Sequence, residues 1–314
     1  MFTALLIFIG GYTLACYLYE HLRTPLRLLV NTICEESRSV KFEYGEWAAI
    51  TGSSDGIGKA YAKELASYGV NIVLIARNEE KLKAVAQEIS NEYKVETKIV
   101  VADFTEGIAV YDRIEKELDK VPVAILVNNV GMSSETPGPL FKSSREHVQH
   151  IIDTNVGAVS HLCRYILKRW RENNIKGAIV NVSSGTDLQP VPYAALYAAS
   201  KAYTRSLTQA LQWEAHKDGI LVQLLSPNFV VTKINSYSKR IMGGGLFIPS
   251  AEDYARSSVE QLRVRIDETP GFFWHHVQNA LITLLPTRLR IYVVQTFFQV
   301  IVDKKHGNTF SPET

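Results

Sequence analysis

The 314 residues exceed one average domain, yet open parallel α/β sheets often fill about 250 residues as a single unit, so one catalytic domain with extensions at both ends is expected. Hydrophobic residues at 46% and charged residues at 21% argue against both a disordered chain and a polytopic membrane protein. A net charge of +2 without a basic run interleaved with aromatics gives nucleic-acid binding no support, and three cysteines (Cys16, Cys34, Cys163) without zinc or disulfide spacing imply a reducing compartment and no metal.

Residues 1–19 carry no side-chain charge and approach the roughly 20 residues that a membrane-spanning helix needs, so a transmembrane signal anchor is expected there. A cleaved signal peptide is the rival, but its usual basic region is missing. Arg23 and Arg27 outweigh Glu20 on the C-terminal flank, which places the remainder in the cytosol by the positive-inside rule. Residues 20–44 read as a juxtamembrane linker. Within it, Leu22 to Ile33, interrupted by Pro25, fits either a helix on the membrane surface or a packed linker helix.

From residue 45 the pattern becomes an alternation. The apolar run Trp47-Ala48-Ala49-Ile50 predicts a strand and ends in Thr51-Gly52-Ser53-Ser54-Asp55-Gly56-Ile57-Gly58; a helix over 59–68 and a strand over 70–76 follow. The alternation continues with a helix over 79–93, a strand over 97–102, a helix near 110–120 and a strand over 124–128. A long helix over 148–171, a strand over 178–182, a helix over 198–218 and a strand over 221–226 complete it. Strands alternating with helices of this length predict an α/β fold, a Rossmann-type doubly wound parallel sheet, with ligands at the carboxyl ends of the strands.

Chemistry is sought at those ends. Gly52, Gly56 and Gly58, with Ser54 and Ile57 between them, form a turn that lets backbone approach a pyrophosphate and aims a helix N-terminus at its charge. After the second strand stands Arg77, suited to a 2′-phosphate, where NAD binding would call for an acidic residue; NADP(H) is the expected cofactor. Tyr197 and Lys201 lie one helical turn apart, and an ammonium there would lower the tyrosine pKa from about 10. Ser184, just beyond a strand, could polarise the same carbonyl.

With these residues the chain resembles the classical short-chain dehydrogenases/reductases over about residues 45–235. The carriers are the glycine turn, Asp103, the Asn128-Asn129-Val130-Gly131 element, Asn155, Ser184, Tyr197 and Lys201. The resemblance implies Tyr197 as general acid/base, Ser184 as substrate-orienting hydroxyl and Lys201 as the group that lowers the tyrosine pKa and binds the nicotinamide ribose. It further implies that Asn155 holds a proton-relay water, that Asp103 lies near the adenine, and that Asn129, Val230 and Thr232 contact the cofactor. Pro227-Asn228 departs from the family's Pro-Gly, and asparagine is expected to keep the loop by tolerating a left-handed backbone.

The anchor, Tyr44-Gly45-Glu46-Trp47-Ala48 and Arg77-Asn78-Glu79-Glu80-Lys81-Leu82 are similar to the microsomal hydroxysteroid dehydrogenase and very-long-chain 3-oxoacyl-CoA reductase branch. That likeness implies NADP(H)-dependent reduction of a ketone, or oxidation of an alcohol, on a lipid-like steroid or long-chain fatty-acyl substrate at the endoplasmic reticulum membrane, with the mitochondrion as the alternative compartment. A weakly active or inactive dinucleotide-binding scaffold of the hydroxysteroid dehydrogenase-like type is the alternative function. Dimers and tetramers are usual in the resembling family, so a homodimer stays open.

Residues 236–314 are expected to hold a substrate lid and an amphipathic extension. Lys233 to Asp267 would be the lid, hinged at Gly243-Gly244-Gly245, and residues 271–302, broken by Pro286, Arg288 and Arg290, are too interrupted to cross a bilayer. His275-His276 reads as structural or surface. The tail from Asp303 lacks a dilysine retention pattern.

Overall fold

The computed structural model describes residues 2–34, 40–133 and 137–301; the tail from Asp303 lies outside them. Strands β1 (Trp47–Thr51), β2 (Asn71–Ala76), β3 (Thr97–Val101), β4 (Val123–Asn128), β5 (Ala178–Val182), β6 (Leu221–Leu225) and β7 (Glu268–Thr269) form one parallel sheet. Their order is β3-β2-β1-β4-β5-β6-β7. The expected Rossmann-type fold is therefore present. β1, β4, β5 and β6 are buried along their whole length, so their sequences are continuous apolar runs instead of alternating ones. The chain leaves β3 and returns on the far side of β1, which opens a crevice between β1 and β4.

The helices are α1 (Phe2–Cys34), α2 (Val40–Glu43), α3 (Gly56–Ser67), α4 (Glu79–Tyr93), α5 (Ala109–Leu118), α6 (Arg145–Ile151), α7 (Ala158–Glu172), α8 (Ala195–His216), α9 (Lys239–Met242), α10 (Ala251–Arg263), α11 (Phe273–Thr283) and α12 (Thr287–Ile301). On one face of the sheet α3, α4 and α10 bury Tyr61, Leu65, Leu82, Ile89, Tyr254 and Leu262. On the other, α5, α7 and α8 bury Ile114, Leu118, Leu162, Ile166, Trp170 and Leu211.

Four features differ from the sequence expectation. The helix expected over 148–171 is interrupted by a π-helical turn, Ile152–Gly157, between α6 and α7. Such a turn inserts one residue into the helical hydrogen-bond ladder and is frequent at functional sites. A seventh strand exists, but its two residues are too few to carry a period. The segment expected as a lid divides: α10 packs in the core beside α3, while of the stretch before it Lys233, Ile234, Asn235 and Tyr237 line the cavity at the strand ends and α9 packs Ile241 against Val191 and Ala198.

The fourth concerns the N-terminus. α1 continues through Pro25 as one helix, and its Phe2–Val30 portion is apolar and long enough to cross a membrane. Its second half is docked: the Tyr17 hydroxyl donates to Ala280 O, His21 Nε2 lies 3.0 Å from Thr283 Oγ1, Arg23 pairs with Asp267 at 3.4 Å and buried Thr24 donates to Glu268 O at 3.4 Å. The linker up to Thr24 is thus a packed helix.

Trp170 is fully buried and donates from Nε1 to Val123 O at 2.7 Å, tying α7 to the start of β4. Replacing Trp170 by Ala removes that volume and the donor together, and should cost about 3–5 kcal/mol. Urea unfolding followed by far-UV circular dichroism measures it; a loss below about 1 kcal/mol would contradict this packing.

Candidate active site

The glycine turn joins β1 to α3. Gly52 has φ +65°, and a Cβ on Gly58 would lie 2.4 Å from Gly52 O and from Asn129 Nδ2, so the turn closes only without side chains. Asn129 seals it from the other side, donating from Nδ2 to Thr51 O at 3.0 Å and Gly52 O at 3.3 Å. Asp55 caps α3 through Gly56 N at 2.9 Å and pairs with Lys233 at 2.5 Å and Lys81 at 3.4 Å. Partial burial opposes ionisation of Asp55, but Lys233, the Gly56 N–H and Lys81 together hold its carboxyl below the ordinary value. Its negative charge is thereby balanced by two cations at the mouth of the turn.

Gly52, Gly56, Ile57 and Asn129 line the same cavity as Ser184, Tyr197, Lys201, Val230 and Thr232. Gly58 lies beneath the turn, and Ser54 does not line the cavity. Arg77 and Asp103 line a separate hollow at the ends of β2 and β3 with Asn78, Val101, Glu106 and Arg113. Asp103 caps the turn after β3, accepting from Thr105 N at 3.0 Å and Thr105 Oγ1 at 2.8 Å. Arg77 is exposed and makes no hydrogen bond or ion pair among the described residues. The cradle without side chains, the helix N-terminus and the unpaired guanidinium at its far end fit a phosphorylated dinucleotide.

The end of β5 delivers Ser184, and the first two turns of α8 deliver Tyr197 and Lys201. Lys201 is 4% exposed; its Nζ donates to Val182 O at 2.9 Å and lies 5.7 Å from the Tyr197 ring centroid. Burial drives the Lys201 pKa down to about 8, and the charge of Asp187 resists that fall. Tyr197 keeps part of its surface open to the cavity, yet desolvation still pushes its hydroxyl above the usual value while a hydrogen bond with Ser184 pulls it down. Asn155 sits in the π turn; its Nδ2 donates to Met132 O and Ser200 Oγ, both at 2.9 Å, and its Oδ1 accepts from Met132 N at 2.8 Å. It clamps the loop after β4 against α8 and does not itself line the cavity.

Asp187 escaped sequence reasoning because nothing marks it in the chain. Its Oδ2 accepts from Ser183 Oγ and Ser226 Oγ, both at 2.7 Å, and its Oδ1 is 3.7 Å from Arg205 Nε. Burial raises its pKa against the pull of Arg205 and the two hydroxyls. Arg205 in turn pairs with Glu268 of β7 at 2.5 Å.

The cavity has a volume of about 750 Å³, within the range of small-molecule sites. Its outer wall is the C-terminal pair α11 and α12, with Leu281, Ile282, Leu285, Val293, Val294 and Phe297. Arg290 holds α12 down by donating to Leu188 O at 3.1 Å, and Phe229 meets Phe297 at 5.9 Å between ring centroids. The expectation of a left-handed Asn228 is corrected: Asn228 is not among the described non-glycine residues of positive φ, which are Lys94, Asn174, Tyr193 and Arg265. Its side chain explains the asparagine instead, donating to Gln278 and Asn279 of α11. The fully buried His275 accepts from Asn228 N, and His276 Nε2 lies 3.2 Å from Thr269 Oγ1. The Pro-Asn departure was the one signal in the sequence that pointed to this contact.

Known proteins place this arrangement. The short chain dehydrogenase family model matches residues 46–241. The human protein named inactive hydroxysteroid dehydrogenase-like protein 1 is 41% identical over 250 residues, 80% of this chain and 75% of that protein. Human very-long-chain 3-oxoacyl-CoA reductase is 36% identical over 252 residues, 80% and 78% of the two chains. A short-chain dehydrogenase of Sphingobium yanoikuyae, solved in complex with NADPH, is 28% identical with a TM-score of 0.65, covering 76% of this chain and 94% of that one. With that family matched across the sheet, the glycine turn and the Ser184, Tyr197 and Lys201 cluster, this chain belongs to the short-chain dehydrogenases.

Proposed function

We propose that this chain is an NADP(H)-dependent oxidoreductase that reduces a ketone, or oxidises the corresponding alcohol, on a steroid or long-chain fatty-acyl substrate. The observation that carries this reading is one cavity that joins the glycine turn and the Ser184, Tyr197 and Lys201 cluster to an apolar wall from α11 and α12. The relative named very-long-chain 3-oxoacyl-CoA reductase supports the acyl class.

Bound NADPH supplies a hydride to the carbonyl carbon. Tyr197 gives its phenolic proton to the carbonyl oxygen, and Ser184 donates a hydrogen bond that orients and polarises that oxygen. Lys201, ionised below about pH 8, stabilises the tyrosinate left behind. The side chain of Asn155 is occupied by Met132 and Ser200, so a relay water at this residue would sit on its main-chain carbonyl. Arg77 would meet the 2′-phosphate, with Asp103 at the adenine end.

The same reading places the chain at the endoplasmic reticulum membrane, catalytic domain in the cytosol, held by the unburied apolar length of α1. The exposed Leu281, Leu289 and Tyr292 on the neighbouring α11 and α12, with Leu284 in the turn between them, extend that apolar surface to the cavity wall. The scaffold reading draws on a single observation, the relatives named inactive; it expects NADPH binding without turnover.

With purified protein in detergent, Tyr197→Phe should lower NADPH-dependent reduction of a responsive steroid ketone or 3-oxoacyl-CoA about 10²–10⁴-fold without weakening NADPH binding; unchanged turnover would remove Tyr197 from the chemistry. Arg77→Glu should shift the preference from NADPH toward NADH by about 10-fold or more, read as the ratio of kcat/KM for the two cofactors, since it exchanges attraction for repulsion at the 2′-phosphate. Reduction should decline as pH rises through about 8, where Lys201 loses its charge. Because Asp187 raises the Lys201 pKa, Asp187→Asn should move that decline to lower pH; an unmoved profile in a folded variant would refute the coupling.

A further inference from the structure

One polar group in the cavity wall has no part in the hydride and proton transfers. Asn228, in the loop after β6, packs its carboxamide against the residue that follows Ser184: a Cβ on Gly185 would lie 1.8 Å from Asn228 Oδ1. Its Nδ2 donates to Gln278 Oε1 at 2.9 Å and to Asn279 Oδ1 at 3.0 Å, and its main-chain N donates to His275 Nδ1 at 3.3 Å. Three residues of α11 thereby grip one residue of the catalytic end of the sheet.

The donor count sets the orientation of these amides. A carboxamide offers one NH2 and one oxygen, and Asn228 commits both N–H bonds to the oxygens of Gln278 and Asn279. Turned the other way, the Asn228 NH2 would face the Gly185 Cα, which accepts nothing. Gln278 and Asn279 therefore keep their own NH2 groups on the side away from Asn228. Neither NH2 has a hydrogen-bond partner among the described residues, and both residues line the cavity. The rest of that wall is hydrocarbon, from Leu281, Ile282, Leu285 and Val294. A wholly apolar ligand would cover the two donors and leave them unmatched, whereas a ligand that brings an oxygen to them satisfies what it desolvates.

We propose that Gln278 and Asn279 form a subsite for a second oxygen atom of the substrate, a carbonyl or hydroxyl, so that the preferred ligand is an apolar molecule with two oxygen functions. The inference rests on the cavity being a ketone site. Two sources share this chemistry: a second ring oxygen on a steroid skeleton and the thioester carbonyl of a 3-oxoacyl chain.

The test uses the full chain in detergent, saturated with NADP⁺ for titration calorimetry and with NADPH for turnover. One pair of ligands is a steroid dione and the same skeleton with a single ketone; the other is a long-chain 3-oxoacyl thioester and a methyl ketone of equal chain length. Wild type should bind the two-oxygen member of at least one pair about 10- to 100-fold more tightly, and the pair that shows it names the source. Gln278→Leu and Asn279→Leu should each reduce that preference while cofactor affinity, the control for folding, stays intact. Equal affinity within both pairs in wild type, or a preference untouched by both substitutions, overturns the subsite. The wild-type comparison needs no variant, so a misfolded substitution does not remove the test. A binding preference without turnover would keep the subsite and sink the reductase reading; turnover without preference would sink the subsite alone.

Discussion

An ammonium held inside a protein is the constraint from which the rest of this site follows. Lys201 has almost no contact with solvent, and desolvation drives its pKa down to about 8. The buried carboxylate of Asp187 resists that fall, and the Val182 carbonyl at the end of β5 accepts from the Lys201 Nζ. Asp187 is itself sustained by Ser183, Ser226 and Arg205, and Arg205 by Glu268. The charge at the catalytic end of α8 thus depends on a chain of contacts that reaches the edge strand β7.

That edge is also where the N-terminal helix arrives. Thr24 donates to the main chain of Glu268, and Arg23 pairs with Asp267. The helix long and apolar enough to cross a membrane, the short edge strand and the ion network under the site are therefore contiguous. On the neighbouring side α11 and α12 close the cavity with hydrocarbon and are tied to the catalytic loops by Asn228 and Arg290. A wall fastened to those loops makes pocket shape and catalytic geometry parts of one packed unit.

Legibility in the sequence followed the range of the interactions. Six strands and their covering helices were readable because burial on both faces makes β1, β2, β4, β5 and β6 nearly continuous apolar runs, because the half-exposed β3 follows the same alternation of strand and helix, and because helical faces repeat within the chain. Tyr197 and Lys201 could be paired from spacing, since one helical turn fixes their neighbourhood. The π turn at Asn155 was not readable: a helix period says nothing of one inserted residue. Nor was β7, whose two residues are ordered by β6 and not by their own propensity.

By itself the sequence determined the order of strands and helices, the glycine turn and the spacing of Ser184, Tyr197 and Lys201, all of which depend on local period, backbone freedom or residues a few positions apart. Only the tertiary structure decided that the charge of Asp187 acts on Lys201, that Asn228 meets Gln278 and Asn279 about fifty residues away, that α10 belongs to the core and not to a lid, and that α1 rests on α11 and β7. These are contacts between side chains far apart in the chain, and no periodicity encodes them; they exist because the sheet brings the carboxyl ends of its strands to one edge.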